Sequence, residues 1–376
     1  MRECDFLVIG AGIAGTSCAH WLAGDAKVIV LDMESRPGYH TTGRSVAMYT
    51  EAYGPRTVRA LAKSGYDFLT KPPEGFSDVP LSEQSAFLFV AREDQLSSLD
   101  TALAAVQELS PQIAMIDPDE AVERVPVLRR DYLAGAFLDP YAMKLDVDAI
   151  HQGYIKGLNN NGGEIVCDAA VTGMERRAGK WHLQTRQGTF VAPVVISAAG
   201  AWVDEVADLA NTKRIGIIPK RRTVISFTPP DVTLDSDWPF VIDCEEGFFF
   251  KVEAGAILGS PSNQDPTYPQ DVQPEELDIA IAIDRLQTAT TMKVPRLNRS
   301  WAGLRSFVAD GNPVVGYAED VDGFFWCAGQ GGYGIETSIG MGRSCAALIH
   351  GQDLPEDIRA LGVRAKELSP SRIGSP

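Results

Sequence analysis

Three glycines and an aspartate near the start of the chain have the types and spacing that bind a dinucleotide. Gly10, Gly12 and Gly15 fit G-x-G-x-x-G within VIGAGIAGTSC (8–18). In that pattern one glycine makes a tight turn, one lets backbone approach a pyrophosphate, and one lets a helix lie close on its strand. Free N–H groups and the positive dipole end of the following helix favour the phosphates. Asp32 ends the run KVIVLD (27–32), 22 positions after Gly10, where a carboxylate accepts from ribose hydroxyls. It would repel a 2′-phosphate, which disfavours NADP and leaves NAD and FAD. The plain alternative is a glycine-rich turn in some other α/β protein; the strand, helix and acid in register argue against it.

A second glycine-rich stretch, Gly329 to Gly334, lies more than 300 residues downstream. A helix N-terminus there would stabilise negative charge on a non-phosphate part of the cofactor. A reduced flavin carries such charge on its pyrimidine edge. NAD leaves the second turn without a purpose, so FAD is the expected cofactor.

These groups need strands and helices to hold them. FLVI (6–9) and KVIVLD read as parallel strands with a small-residue helix between them, and VVISAAG (194–200) reads as a third buried parallel strand. The helix WVDEVADLA follows it directly. DGFFWCAGQGGYGIETSIGMGRSCAALIH predicts a strand at 323–328, the second glycine turn, and an apolar helix over 335–349. Between these pieces, 213–260 alternates as strands (RRTVISF, EGFFFKV, AILGS), while 276–293 is helical in pattern. The expected architecture is α/β and α+β. A Rossmann-like FAD-binding domain is assembled from 1–80, 141–212 and 301–376. A substrate-binding domain with a mixed, largely antiparallel sheet is formed by 81–140 and 213–300.

Composition bounds the function. A 376-residue chain with 45% hydrophobic and 22% charged residues is globular and long enough for two domains. A net charge of −16 argues against nucleic acid as a partner and against electrostatic docking on anionic membranes. Lys220-Arg221-Arg222 stands out as a basic cluster on that acidic background. The cysteines at 4, 18, 167, 244, 327 and 345 have no metal or C-x-x-C spacing, as expected of inert thiols in a reducing compartment. The five histidines show no ligand spacing either, and no metal is expected. With the first strand expected from about residue 5, no signal peptide is expected, and the longest apolar stretch (191–203) is too short to span a bilayer. A soluble, cytoplasmic protein is expected.

With these residues in view, the chain resembles the FAD-dependent D-amino acid oxidase and glycine oxidase superfamily, and within it the bacterial D-arginine dehydrogenases. The likeness covers nearly the whole chain. It rests on VIGAGIAG, PGYHTTGRSVAMYTEAYG (37–54), VPVLRRD (125–131), HQGY (151–154), PKRR (219–222), LGSPSNQDP (258–266), WAGLRSFVADG (301–311) and GQGGYGIETS (329–338). It implies hydride transfer from the α-carbon of an amine-bearing substrate to flavin N5, then hydrolysis of the imine to a 2-oxo acid and ammonia. The electron acceptor (quinone, redox carrier or oxygen) stays open. So do an oxygen-using glycine or N-methyl amino acid oxidase and a non-catalytic FAD-binding subunit of a larger complex.

Roles follow by position. Gly10, Gly12, Gly15 and Asp32, with the flanking Ile9, Ile13, Ala14, Leu31 and Met33, match the cofactor motif. Thr42, Gly43, Arg44 and Ser45, then Ala47, match the segment beneath the flavin. Val171, Ala199, Gly200 and Trp202 match the adenine end, and Gly329, Gly331, Gly332, Tyr333, Gly334 and Ile335 match the flavin's pyrimidine edge. Arg222 and Arg305 match two arginines that hold a substrate carboxylate, with Tyr53 beside them and Gly303 and Gly332 lining the pocket. A guanidinium offers a planar fork of donors suited to a carboxylate. Arg222 competes with its neighbour Arg221, and only the resemblance chooses between them.

Three positions depart from the arginine dehydrogenase pattern. Met48 stands where a histidine does, Phe249 where a tyrosine does, and Phe87 where a glutamate would meet a guanidinium. If they line the pocket, a buried guanidinium lacks its anion, and an apolar or small side chain is favoured. If they are ordinary core residues, the pocket is built elsewhere.

Overall fold

The computed structural model describes residues 1–373. Six strands drawn from four distant stretches of the chain form the sheet that carries the glycine turns. In spatial order they are Glu164–Val166, Val28–Leu31, Phe6–Ile9, Val194–Ser197, Phe324–Ala328 and Val314–Tyr317, parallel except for the last pair. Alternation along these strands feeds two cores. Val8, Val28 and Val30 pack with Cys18, Leu22, Met341 and Cys345 from the helices Ile13–Leu22 and Ser338–Ile349. Leu7, Ile9, Ile29 and Leu31 point the other way, towards Phe190, Trp181, Val203 and Trp326. Both faces are covered, which is why these strands read as unbroken apolar runs.

Gly10 takes φ +106°, and a Cβ there would press on the carbonyl of Ala198. A Cβ on Gly15 would collide with the carbonyl of Gly10. The helix therefore starts in contact with the strand end, as the spacing predicts. The helix expected over 335–349 begins only at Ser338, after Thr337, whose hydroxyl donates back to the carbonyl of Tyr333; Ile335 and Glu336 stay in the preceding turn.

A second, nine-stranded sheet is mostly antiparallel. Its one parallel pair joins Phe87–Ala91 to Phe240–Asp243. The long strands Ile218–Phe227 and Arg299–Phe307 pair along their length, with Arg222 opposite Gly303 and Lys220 opposite Arg305. Residues 301–307, grouped by sequence with the FAD-binding segments, thus lie in a strand of the large sheet. The helices Leu96–Gln107 and Glu276–Ala289 pack on this sheet, the second ending four residues before the expected 293. A three-stranded sheet of Met48–Tyr49, Met143–Leu145 and Ser82–Gln84 completes the set. Among the described residues no helix is long and apolar enough to cross a membrane.

Candidate functional site

The first glycine turn is tied to the next strand by Asp32. Its Oδ2 accepts from the amide of Ala11 at 2.6 Å and its Oδ1 from Glu34 at 2.8 Å. Burial pushes this carboxyl above its ordinary value, and those two amides pull against the shift. Thr42 reaches the start of the helix, where its hydroxyl accepts from the amide of Ile13 at 2.9 Å. A groove runs from Asp32, Met33 and Val171 past Gly10, Gly12, Ile13 and Ala14, with Ala199, Gly200 and Trp202 on one wall. It ends at Gly331, Gly332, Gly334 and Ile335. Ile9, Leu31, Thr42 and Ser45 also line it.

The residues present fit FAD. The ribose-side acid and helix N-terminus stand at one end, the second glycine turn at the other, and small or apolar residues lie between. When bound, FAD supplies a two-electron acceptor.

Six residues expected at the cofactor do not line this groove. Gly15 is spent on the contact with Gly10, and Gly43 packs on the carbonyl of Gly38. Gly329 (φ +73°) makes the turn itself and faces Val314. Arg44 is a clasp: its guanidinium donates to the carbonyls of Val272 (3.0 Å) and Ala302 (3.2 Å) and pairs with Asp271. Ala47 lines the neighbouring cavity, and the Tyr333 ring packs on Tyr53 and Phe307. The sequence reading missed Glu34 and His40, which line the groove and meet each other at 2.9 Å.

A second cavity adjoins the groove, sharing Thr41, Ser45, Gly332 and Ile335 with it. It brings together Arg222, Arg305, Tyr53, Met48, Phe87, Phe249, Gly303 and Gly332. Strand alternation resolves the choice between adjacent arginines. Arg221 turns to the far face, onto Asp278 at 2.8 Å and also Glu275 and Asp265. Arg222 turns into the cavity, beside Arg305 on the paired strand. Gly332 leaves room for the clamp, since a Cβ on it would displace the Arg305 guanidinium from this position.

The clamp already grips a carboxylate of this chain. Oε2 of Glu246 accepts from the Tyr53 hydroxyl (2.9 Å), Arg222 Nη2 (3.2 Å) and Gln264 Nε2 (3.1 Å), with Arg305 Nη1 at 3.8 Å. Arg305 Nη1 is buried and makes no hydrogen bond. Burial alone would raise the Glu246 carboxyl, yet the guanidinia of Arg305 and Arg222 hold it below its ordinary value. Burial, and then the Arg305 charge, push Arg222 below its usual value. Glu246 sits at φ +57° in the turn before Phe249. Asp243 locks that turn by accepting from the amides of Glu245 (3.1 Å) and Gly247 (2.8 Å). Nothing local in DCEEGFFF singles out Glu246, because its partners Tyr53, Arg222, Gln264 and Arg305 come from four other segments.

The same cavity is lined by a buried aromatic wall. Phe87 and Phe240 stack at 4.4 Å between centroids, and Phe240 and Phe249 at 5.1 Å. Phe240 was missed; it lies directly across from Phe87 in the parallel strand pair. Phe87, Phe249 and Met48 are thus both core and cavity lining. Glu336 and Thr50 also line this cavity and were not anticipated.

Comparison with known proteins supports the same architecture. Hydrogen cyanide synthase subunit HcnC of Pseudomonas aeruginosa is 24% identical, over 95% of each chain. FAD-dependent oxidoreductase domain-containing protein 1 of Xenopus laevis is 23% identical over 93% of this chain and 79% of its own. The structure of L-proline dehydrogenase from P. horikoshii superposes with a TM-score of 0.85 at 21% identity, covering 99% of this chain and 98% of that one. Glycine oxidase from Geobacillus kaustophilus gives 0.81 at 17% identity, over 94% and 96%. Residues 5–348 match the model of the DAO family, FAD dependent oxidoreductase. The chain belongs to that FAD-dependent family.

Proposed function

We propose that this protein oxidatively deaminates D-amino acids with hydrophobic or small side chains. The carrying observation is the convergence of two buried guanidinia and a tyrosine hydroxyl on one carboxylate oxygen, in a cavity that abuts the second glycine turn. Arg222, Arg305 and Tyr53 hold the substrate carboxylate there. Phe87, Phe240, Phe249 and Met48 receive the side chain and exclude water. Rigid positioning of the α-C–H bond is most of what this chemistry asks of a protein. The imine formed hydrolyses in water to a 2-oxo acid and ammonia. On this reading 1–80, 141–212 and 301–376 hold the cofactor, 81–140 and 213–300 hold the substrate, and Arg299–Phe307 bridges the two.

The D-handedness rests on the resemblance to D-arginine dehydrogenases. Structures of similar fold include proteins named for L-proline, L-amino acids, glycine and iminodiacetate. Anaerobic addition of a panel of D- and L-amino acids, glycine and N-methylglycine to the yellow protein should bleach the flavin fastest with apolar D-amino acids. Faster bleaching with an L-isomer overturns the handedness. Faster bleaching with glycine or N-methylglycine favours the rival oxidase reading. Admitting air then shows whether oxygen serves as acceptor.

The substrate carboxylate must displace that of Glu246. Glu246→Gln keeps a hydrogen-bond acceptor for Tyr53 and removes the competing charge. Its affinity for 4-methylpentanoate, an apolar acid with no amine, should rise roughly 10- to 150-fold, since a charge-assisted bond contributes roughly 1.5–3 kcal/mol. Titration of the flavin spectrum measures this, and equal or weaker binding shows that Glu246 does not compete.

A further inference from the structure

We infer that Glu336 receives the substrate's amine and accepts its proton, a role that rests on the amine-oxidising reading above. Glu336 lies between the second glycine turn and the start of the helix Ser338–Ile349, and it lines the same cavity as the two arginines. It is 5% exposed, yet its carboxylate accepts only one hydrogen bond, a long one of 3.3 Å from the amide of Thr50 to Oε2. Oε1 has no donor among the described residues.

The other buried carboxylates of this protein each accept three or more hydrogen bonds, although in Asp243 all three fall on Oδ2 and Oδ1 has none. Asp139 accepts from the Thr50 hydroxyl (2.6 Å) and the amides of Glu51 (3.0 Å) and Tyr141 (2.9 Å). Glu51 takes the Tyr49 hydroxyl, Lys63 and Ser110. Asp243 takes Gln95 and two amides, and Asp278 takes Arg221, Thr223 and Asn263. A carboxylate buried for structure is surrounded by donors. Glu336 instead faces a cavity with its acceptor open.

The ionisable groups around it are few. Burial raises its carboxyl well above the ordinary range, Asp139 adds to the rise, and Arg305 opposes it. Tyr333 and Tyr49, the remaining titratable neighbours, are themselves shifted upward by burial and stay neutral. Burial raises the Asp139 carboxyl too, but three donors pull against that rise, whereas Glu336 has a single donor. That leaves Glu336 as a base with elevated proton affinity. The cavity therefore carries two cations and one under-used carboxyl, the complement of an α-amino acid zwitterion.

In the proposed step an N–H bond of the substrate ammonium breaks and an O–H bond forms at Glu336 Oε1. The electron pair stays on nitrogen, and nothing is oxidised or reduced. That pair is what the C=N bond requires when the α-C–H bond is subsequently cleaved. The proton is later given up to water. Because the pKa of Glu336 is raised, the accepting form is lost as pH falls through that raised value, so the rate declines toward acid.

The test compares wild-type holoenzyme, Glu336→Gln and Glu336→Asp by anaerobic flavin reduction with D-leucine over neutral to alkaline pH. Titration with 4-methylpentanoate runs in parallel. Glu336→Gln, which keeps shape but cannot take a proton, should slow reduction at neutral pH at least 100-fold. Its profile should climb with pH as free amine becomes available from solution. Its binding of 4-methylpentanoate should stay within threefold of wild type, and Glu336→Asp should recover the wild-type profile in part. An unchanged rate and profile in Glu336→Gln overturns the role of Glu336 alone. So does a loss confined to basic amino acids, which would make the residue a side-chain partner. A wild type that bleaches with no amino acid overturns the amine-oxidising reading, and the proton transfer with it.

Discussion

Arg305→Met lowers kcat/KM for the best amino acid by roughly 30- to 5,000-fold, the equivalent of about 2–5 kcal/mol for removing one partner of a buried charge pair. Arg305 is buried, and its Nη1 makes no hydrogen bond. Arg222→Met should lose a similar amount, because Arg222 is the other half of the grip on Glu246. The flavin spectrum should hardly change, since neither guanidinium lines the cofactor groove. Arg221→Met separates this effect from general damage. Its guanidinium serves Asp278, Glu275 and Asp265 on the opposite face, so thermal stability should fall while turnover persists. Steady-state kinetics and a melting curve on the three variants check the set. Wild-type turnover in both Arg222→Met and Arg305→Met would place the substrate carboxylate elsewhere.

Specificity carries the second large effect. D-Leucine, D-methionine or D-phenylalanine should exceed D-arginine by orders of magnitude in kcat/KM. A guanidinium driven against Phe87, Phe240 and Phe249 would be desolvated with no anion on that wall. Phe87→Glu should raise D-arginine activity and depress activity on D-leucine. Position 87 is 3% exposed and stacked on Phe240, so the new carboxylate is itself buried and unpaired until a cation arrives. The variant should therefore melt earlier than wild type and regain part of that loss when D-arginine is added. A pocket that was merely damaged would lose both activities. Faster flavin reduction by wild type with D-arginine than with any apolar D-amino acid would overturn this account of the wall.

The cofactor end was legible because its chemistry is local. Gly10 turns at φ +106° and Gly15 lies against the carbonyl of Gly10 within that one turn, and Asp32 is fixed by the length of one strand–helix–strand unit. The strands at 6–9, 28–31, 194–197 and 324–328 were legible because a parallel strand covered on both faces leaves an unbroken apolar run. The aromatic wall was half legible. Phe87 and Phe249 stood out as departures from a resemblance, but Phe240 joins them only through strand pairing.

The choice between Arg221 and Arg222 depends on the phase of one strand, and a one-residue change of phase would exchange their faces. That phase is set by pairing with Arg299–Phe307, about 80 residues away. The redeployment of Arg44 from cofactor to clasp has the same origin, since its partners lie at 271, 272 and 302. Glu246 and Glu336 are ordinary in sequence. What distinguishes them is the number and charge of the donors around each, and those donors come from separate segments. Sequence by itself determined the residues whose function follows from the backbone around them. The tertiary structure decided the charged groups, because a charge takes its role from the partners that the fold brings to it.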